Sequence, residues 1–337
     1  MAFTAQGLTR PGVTHTDAII WRLEGEGSLA EVWPALGFNC YRWQTAHRGQ
    51  ALDLLFANDR LLGPDGRPTR GGIPILFPFP NRISGGRYDW DGRDYQLPLN
   101  DSPPRNAIHG FACRRSWRVV EHGGESTSAW VTGEFQGSID APESRALWPA
   151  DYRLRITYRL SASLLRIDAE VTNPDTRPLP FGLGYHPYFR LPFASTDAAG
   201  DSRVSVPATS FWVLDESLPI GQVEPVDAVR DLNSPRPFAD LKLDDVLTGL
   251  PPDAPRTREG LYDRATIFSS GATLTMACSA GFREMVLFTP PHRKAIAIEP
   301  YTCVTDAINL QQRDIDAGLL VLSPGDRWSG IVEMRIQ

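Results

Sequence analysis

Three short segments carry the residues most able to move protons. Among six histidines (His15, His47, His109, His122, His186 and His292), two sit in unusual surroundings. His109 lies in Asn106-Ala-Ile-His-Gly-Phe-Ala112, where Gly110 permits a close backbone approach. His186 lies in Phe181-Gly-Leu-Gly-Tyr-His-Pro-Tyr-Phe-Arg190, between aromatics and flanked by two glycines and a proline. Aromatic rings suit the C–H face of a sugar, while nearby polar groups read hydroxyls. The carboxylate is Glu299, in Lys294-Ala-Ile-Ala-Ile-Glu-Pro-Tyr301. In an extended segment Ile296 and Ile298 face one way, and Ala295, Ala297 and Glu299 the other. Small residues before the acid leave room for a ligand, and partial burial would raise its proton affinity. A carboxylate base and a histidine acid facing one pocket can shuttle protons, each transfer typically worth about 10²–10⁴ in rate. Each residue also has an ordinary alternative. Either histidine could be a structural hydrogen-bonding residue, and Glu299 could end its strand in an ion pair. His15, His47, His122 and His292 are expected at the surface.

The elements that must position these groups read as strands. Tyr152, Leu154, Ile156, Tyr158 and Leu160 alternate with Arg153, Arg155, Thr157 and Arg159. Leu165, Ile167, Ala169 and Val171 alternate with Arg166, Asp168, Glu170 and Thr172. Period two puts apolar groups on one face and solvated groups on the other. Ser161 to Ser163 would make the turn of this antiparallel hairpin. Trp328 to Ile336 repeats the signal, and Ile19 to Leu23 and Val204 to Val206 are shorter candidates. Helical periodicity is thin, and 29 glycines and 29 prolines break the chain throughout. Many short strands between turns predict an all-β fold, a large antiparallel sandwich. No linker or repeat divides the chain, so residues 1–337 are expected to form one domain.

The composition narrows the partners. The chain has 337 residues and a net charge of −6, with no long basic run. Nucleic acid is therefore an unsuitable partner, and a small or uncharged ligand fits better. Cys40, Cys113, Cys278 and Cys303 form no CxxC pair and are expected as buried reduced thiols. There is no apolar run long enough to span a membrane and no export signal, so a cytoplasmic location is the default expectation. Nothing in the sequence indicates an oligomeric state.

Taken in order, the motifs resemble those of the aldose 1-epimerase (galactose mutarotase-like) family. They are Gly71-Gly-Ile-Pro-Ile-Leu-Phe-Pro-Phe-Pro-Asn-Arg-Ile83, His109-Gly-Phe, Trp148-Pro-Ala-Asp-Tyr-Arg-Leu154, Val171-Thr-Asn173, Gly184-Tyr-His-Pro-Tyr-Phe189, Leu243-Asp-Asp-Val246 and Ile298-Glu-Pro-Tyr301. The resemblance implies an antiparallel β-supersandwich. It also implies interconversion of the α and β anomers of an aldose by ring opening, with no cofactor and no metal. By the same resemblance Glu299 matches the base that takes the C1 hydroxyl proton. His186 matches the acid that protonates the ring oxygen, and His109 the second histidine that holds the sugar near the reacting centre. Arg82 matches a hydrogen-bond donor to sugar hydroxyls, and Asp244 an acceptor from distal hydroxyls. A one-residue slip would put Asp245 in the pocket instead.

Some features are similar to the hexose-6-phosphate epimerase branch, namely Gly71-Gly-Ile-Pro and His109-Gly-Phe-Ala. The arginine that often follows there is Cys113 here, with Arg114 next. Three other readings compete. They are a carbohydrate-binding protein of the same fold without chemistry, a zinc site of His109, His186 and Glu299, and a hydrolase using Glu299 with Asp244.

Overall fold

The computed structural model describes residues 2–9, 19–58, 61, 67–195, 197–257 and 259–337. The expected hairpin is present as strands Arg153–Ser161 and Leu164–Thr172, paired antiparallel through nine residues. Leu154, Ile156, Tyr158, Leu165 and Ile167 are buried, and the alternate residues are partly solvated. Arg327–Ile336 pairs with Leu164–Thr172, so the C-terminal strand lies in the middle of the sheet. That sheet has nine strands, from Arg118–Gly124 at one edge to Leu232–Pro237 at the other. The short expected strands also form, as Ile19–Gly25 and Arg203–Val206.

A second sheet of eight strands contains Ser210–Asp215, Asp244–Thr248, Glu284–Phe288, Ala295–Tyr301, Gly184–Tyr185 and Ile75–Leu76, in that spatial order after Leu218–Pro225. Tyr188–Arg190 pairs with Ala295–Tyr301 beside this path. A five-stranded antiparallel sheet runs from Thr4–Thr9 to Gln50–Asp53. Among the described residues every ladder between strands is antiparallel. Among the described residues the α-helices are two short turns, Gly137–Asp140 and Ala307–Gln311.

The main core joins the sheets. One apolar cluster holds Leu154 and Ile156 of the nine-stranded sheet together with Leu247, Leu287, Ile296 and Ile298 of the eight-stranded one. It reaches from Phe3 to Ile336. The eight-stranded sheet is buried on its other face too, where Trp212, Val246, Val286 and Tyr301 pack with Leu76 and Val304. The architecture is therefore the all-β sandwich expected. The four cysteines are free and buried, because each sits on a core-facing position.

One expectation needs correction. His47 is half-buried and so only partly at the surface. It closes strand Asn39–His47, whose residues 43 and 45 face inward, so its ring follows them and its Nε2 is enclosed. His122 and His292 are exposed, as expected, and His15 lies outside the described residues.

Candidate active site

Cross-strand pairing builds the site in three rows on one face of the eight-stranded sheet. Directly paired residues share a face, and so do residues two apart along each strand. Glu284 pairs with Tyr301, which pairs with Gly184. One step along, Val246 pairs with Val286 and Val286 with Glu299. The next row is Asp244, Phe288, Ala297 and Tyr188. His186 precedes Tyr188 by two residues and so falls beside Glu299. Its Nε2 is 3.2 Å from Glu299 Oε1. The other face of the Glu299 strand carries Ile296 and Ile298, which lie in the main core, as the alternation predicted.

His109 arrives from a different part of the chain. Ala107 and Ile108 pair with Ile83 and Arg82. The His109 amide then donates to the Asn81 carbonyl at 2.8 Å. His109 and Asn81 both have positive φ, 67° and 54°. Such values are uncommon away from glycine and persist only where surrounding contacts hold them. Gly110 also has a positive φ, and a Cβ there would lie 2.1 Å from the Phe77 carbonyl oxygen. The loop can therefore close onto Phe77 only with glycine at this position. The result sets the His109 ring edge-on to His186, with centroids 5.8 Å apart.

Burial dominates the electrostatics. Glu299 is 2% exposed. Desolvation holds its proton affinity well above the usual carboxylate range, and the charge of Asp244 adds to this. A hydrogen bond from the Tyr301 hydroxyl to Oε2, at 2.5 Å, and the field of Arg82 pull the other way. Desolvation lowers His186 to about 3. It also lowers His109 well below the ordinary value, with help from the positive fields of His186, Arg114 and Arg82. Burial thus disfavours the charged form of all three groups: it lowers the proton affinity of both histidines and raises that of Glu299. The contact at 3.2 Å makes Glu299 and His186 one unit that titrates together.

The remaining predicted residues surround this unit. Arg82 lies 3.6 Å from Asp101, through its Nε, and donates to the side chain of its neighbour Asn81. Asp101 in turn accepts from the amides of Arg105 and Asn106. Asp244 and Asp245 are separated by the pleat. Asp244 shares the Phe288–Ala297 row, and its charge acts on Glu299 and Tyr188. Asp245 points to the opposite face, where Arg230 pairs with it at 2.6 Å. The register therefore brings Asp244, and not Asp245, to the face that bears Glu299.

Four nearby residues were not singled out individually in the sequence. Tyr301 bonds Glu299, and Tyr188 stacks on the His186 ring with centroids 4.5 Å apart. The Tyr188 hydroxyl donates to the Thr69 carbonyl at 3.0 Å and lies 3.3 Å from His186 Nε2. Phe288 stands between Asp244 and Ala297, and Phe56 packs with Tyr188 and Ala297. His292, exposed, stacks on Phe56 at 4.5 Å. Period two around Glu299 and His186 would have pointed to Tyr301 and Tyr188. Nothing local in sequence marks Phe56, which the fold imports from elsewhere. No group of three or more His, Cys, Asp or Glu residues is arranged to hold a metal ion among the described residues. No helix among them is long and apolar enough to cross a membrane.

Comparison with known proteins gives the family. A family model described as aldose 1-epimerase matches residues 42–335. YphB of Escherichia coli (strain K12), described as uncharacterized, is 31% identical over 164 residues, 48% of this chain and 50% of that protein. YihR of the same strain, also described as uncharacterized, is 28% identical over 239 residues, 70% of this chain and 71% of that one. The galactose mutarotase of Rattus norvegicus is 29% identical over 157 residues, 46% of this chain and 43% of the mutarotase. The match thus spans half the length of YphB and less than half of the rat protein. Among solved structures, a galactose mutarotase-like protein from Clostridium acetobutylicum superposes with a TM-score of 0.82 at 22% identity, covering 95% of both chains. The galactose 1-epimerase of Lactobacillus acidophilus NCFM gives 0.77 at 18% identity, covering 99% of this chain and 98% of the other. These structural likenesses speak to the fold. The family model spans Arg82, His109, His186, Asp244 and Glu299 alike, and on that match the chain belongs to the aldose 1-epimerase family.

Proposed function

We propose that this protein interconverts the α and β anomers of an aldose by acid–base catalysed ring opening. The observation that carries the reading is the buried Glu299–His186 contact, 3.2 Å from Oε1 to Nε2, with the His109 ring edge-on to His186. Ring opening needs a base at the anomeric hydroxyl and an acid at the ring oxygen. Glu299 takes the C1 hydroxyl proton as the C1–O5 bond breaks and C1 becomes a carbonyl. His186 delivers a proton to O5. After rotation about C1–C2 the steps run backwards and close the ring on the other face. The two residues exchange a single proton between them, so no net proton enters or leaves the site over a full cycle. Transfer of that proton from Glu299 to His186, at the 3.2 Å contact or through the bound sugar, arms both residues at once.

The other groups bind. His109, whose proton affinity burial lowers, offers a ring nitrogen to the sugar, and its Nδ1 has no partner among the described residues. Arg82 offers guanidinium donors to sugar hydroxyls, and Asp244 accepts from hydroxyls at the open end of the rows. Phe288 and Phe56 supply apolar faces for the sugar's C–H groups. We read residues 1–337 as one domain, in keeping with the continuous main core.

One observation favours a second substrate reading, an aldose bearing a phosphate or another anionic group. Arg70 and Arg114 are exposed, stand on neighbouring 3-10 turns, and make no ion pair among the described residues. Their charges act on Tyr188 and His109 respectively. The test is the mutarotation rate of freshly dissolved α-glucose, α-galactose and glucose 6-phosphate, followed by polarimetry or anomeric-proton NMR. Acceleration of a free hexose supports the first reading. Acceleration confined to the phosphate, and lost in Arg114→Ala, supports the second. Acceleration of none of them, nor of other aldoses, removes the epimerase.

A further inference from the structure

Glu299 has two carboxyl oxygens, and each is occupied differently. Oε1 faces His186 Nε2 at 3.2 Å, and Oε2 receives the Tyr301 hydroxyl at 2.5 Å. Two features hold the phenol in this place. Tyr301 is fully buried and packs with Leu76, Val286, Cys303 and Val304, so water is excluded as a substitute donor. Its ring also lies across Gly184, its partner in the next strand, where a Cβ would come within 2.5 Å of the ring. Any other residue at 184 would push the ring away from Glu299. Among the described residues the hydroxyl's one hydrogen bond goes to Glu299.

From this geometry we infer that Tyr301 is a positioning residue: its hydroxyl pins Oε2 of Glu299 and leaves Oε1 as the oxygen that exchanges the proton. The inference rests on the reading of Glu299 as the base. A carboxylate free to rotate about its last torsion presents either oxygen, and the rotation is soft. One fixed donor removes that freedom. The same bond stabilises the ionised carboxylate and so opposes the burial that would keep Glu299 protonated. Among the described residues the Tyr301 hydroxyl bonds Glu299 alone, so it acts through that carboxyl group. Tyr188 has the corresponding place behind His186, stacked on its ring and anchored to the Thr69 carbonyl.

The test is Tyr301→Phe, read by two measurements. The first is a ¹³C NMR titration of the Glu299 carboxyl, identified by its loss in Glu299→Gln. The second is the pH profile of the mutarotation rate. Loss of a hydrogen bond to a charged group corresponds to about one to two pH units. The Glu299 midpoint is expected to move up by that amount, and with it the basic limb of kcat, where the pair loses its single shared proton, while KM changes little. An unmoved midpoint and limb, with activity lost evenly at every pH, would overturn the inference. Should Tyr301→Phe fail to fold, 3,5-difluorotyrosine at position 301 keeps the ring and strengthens the donor. The midpoint must then move down, and no movement counts against the inference. The titration needs no turnover, so an inactive wild type would overturn the proposed function while the midpoints still judge the clamp.

Discussion

The two large sheets of this molecule treat their outer faces in opposite ways. In the nine-stranded sheet the Arg153–Ser161 and Leu164–Thr172 strands bury one face and give the other to water, where Arg159, Arg166 and Glu170 stand. In the eight-stranded sheet the Ala295–Tyr301 strand is buried on both faces. One face has Ile296 and Ile298 in the main core, and the other encloses a carboxylate, a phenol and a histidine. The first sheet gains stability from every core residue. The second places a charge-bearing group where charge is costly, and in the proposed reaction that cost is what makes Glu299 basic enough to use. Burial serves stability in one sheet and, in the proposed function, chemistry in the other.

This contrast can be broken by substitution. The largest effect on rate outside Glu299 is expected at His186. His186→Asn should lower kcat by about 10²–10⁴ with little change in KM, as for loss of a positioned acid. A change confined to KM would make His186 a binding residue. On the other sheet, Ile156→Ala should cost about 2–5 kcal/mol in chemical denaturation and leave kcat of the folded protein near normal. Equal losses of rate in both variants would erase the distinction between the sheets.

The pH dependence of stability sharpens it. The folded affinity of Glu299 for protons is raised above its ordinary value of 4.5. The folded state therefore binds more protons than the unfolded state above that pH, and stability is lost as pH rises through this window. Glu299→Gln removes that loss, so its melting temperature should gain on wild type as pH rises from about 4.5. His186 has the opposite sign. Its folded value is lowered from 6.5 to about 3. The unfolded state then binds more protons, and stability is lost as pH falls from 6.5 towards 3. His186→Asn should flatten the acid side of the melting profile, and an unchanged acid side would contradict the lowered proton affinity of His186. The smallest effects separate two neighbours. Asp244→Asn should raise KM about tenfold, as for one lost hydrogen bond to substrate. Asp245→Asn breaks its pair with Arg230, leaves KM alone, and should cost less than about 1 kcal/mol of stability. A KM effect from Asp245 and none from Asp244 would mean the register has been misread.

How much was legible follows from the same contrast. Strands with one wet face alternate, and the hairpin of Tyr152 to Val171 could be read with its turn and its facing residues. The Glu299 strand does not alternate in polarity, yet its small residues and lone acid marked it. His109 was marked by its own segment, but its role, like those of Arg82 and Asp244, came from resemblance to a family; the segments of Arg82 and Asp244 name no chemistry by themselves. The fold then separated Asp244 from Asp245, because facing depends on pairing with Phe288 and Leu287, which the segment itself does not encode. Tyr301 and Tyr188 were within reach of the period-two rule. Phe56 and Asp101 were not, because their places near the site are made by contacts across the chain. His47 was only partly placed for a simpler reason: strand ends next to polar turns look like surface in sequence, even when part of the last side chain is enclosed.

The most direct measurement compares wild type with Glu299→Gln in the mutarotation of freshly dissolved α-aldoses, followed by anomeric-proton NMR at neutral pH. The account predicts acceleration by the wild type, a loss of about 10²–10⁴ in the variant, and sugar binding retained. Turnover by the variant at the wild-type rate would contradict the assignment of Glu299 as the base.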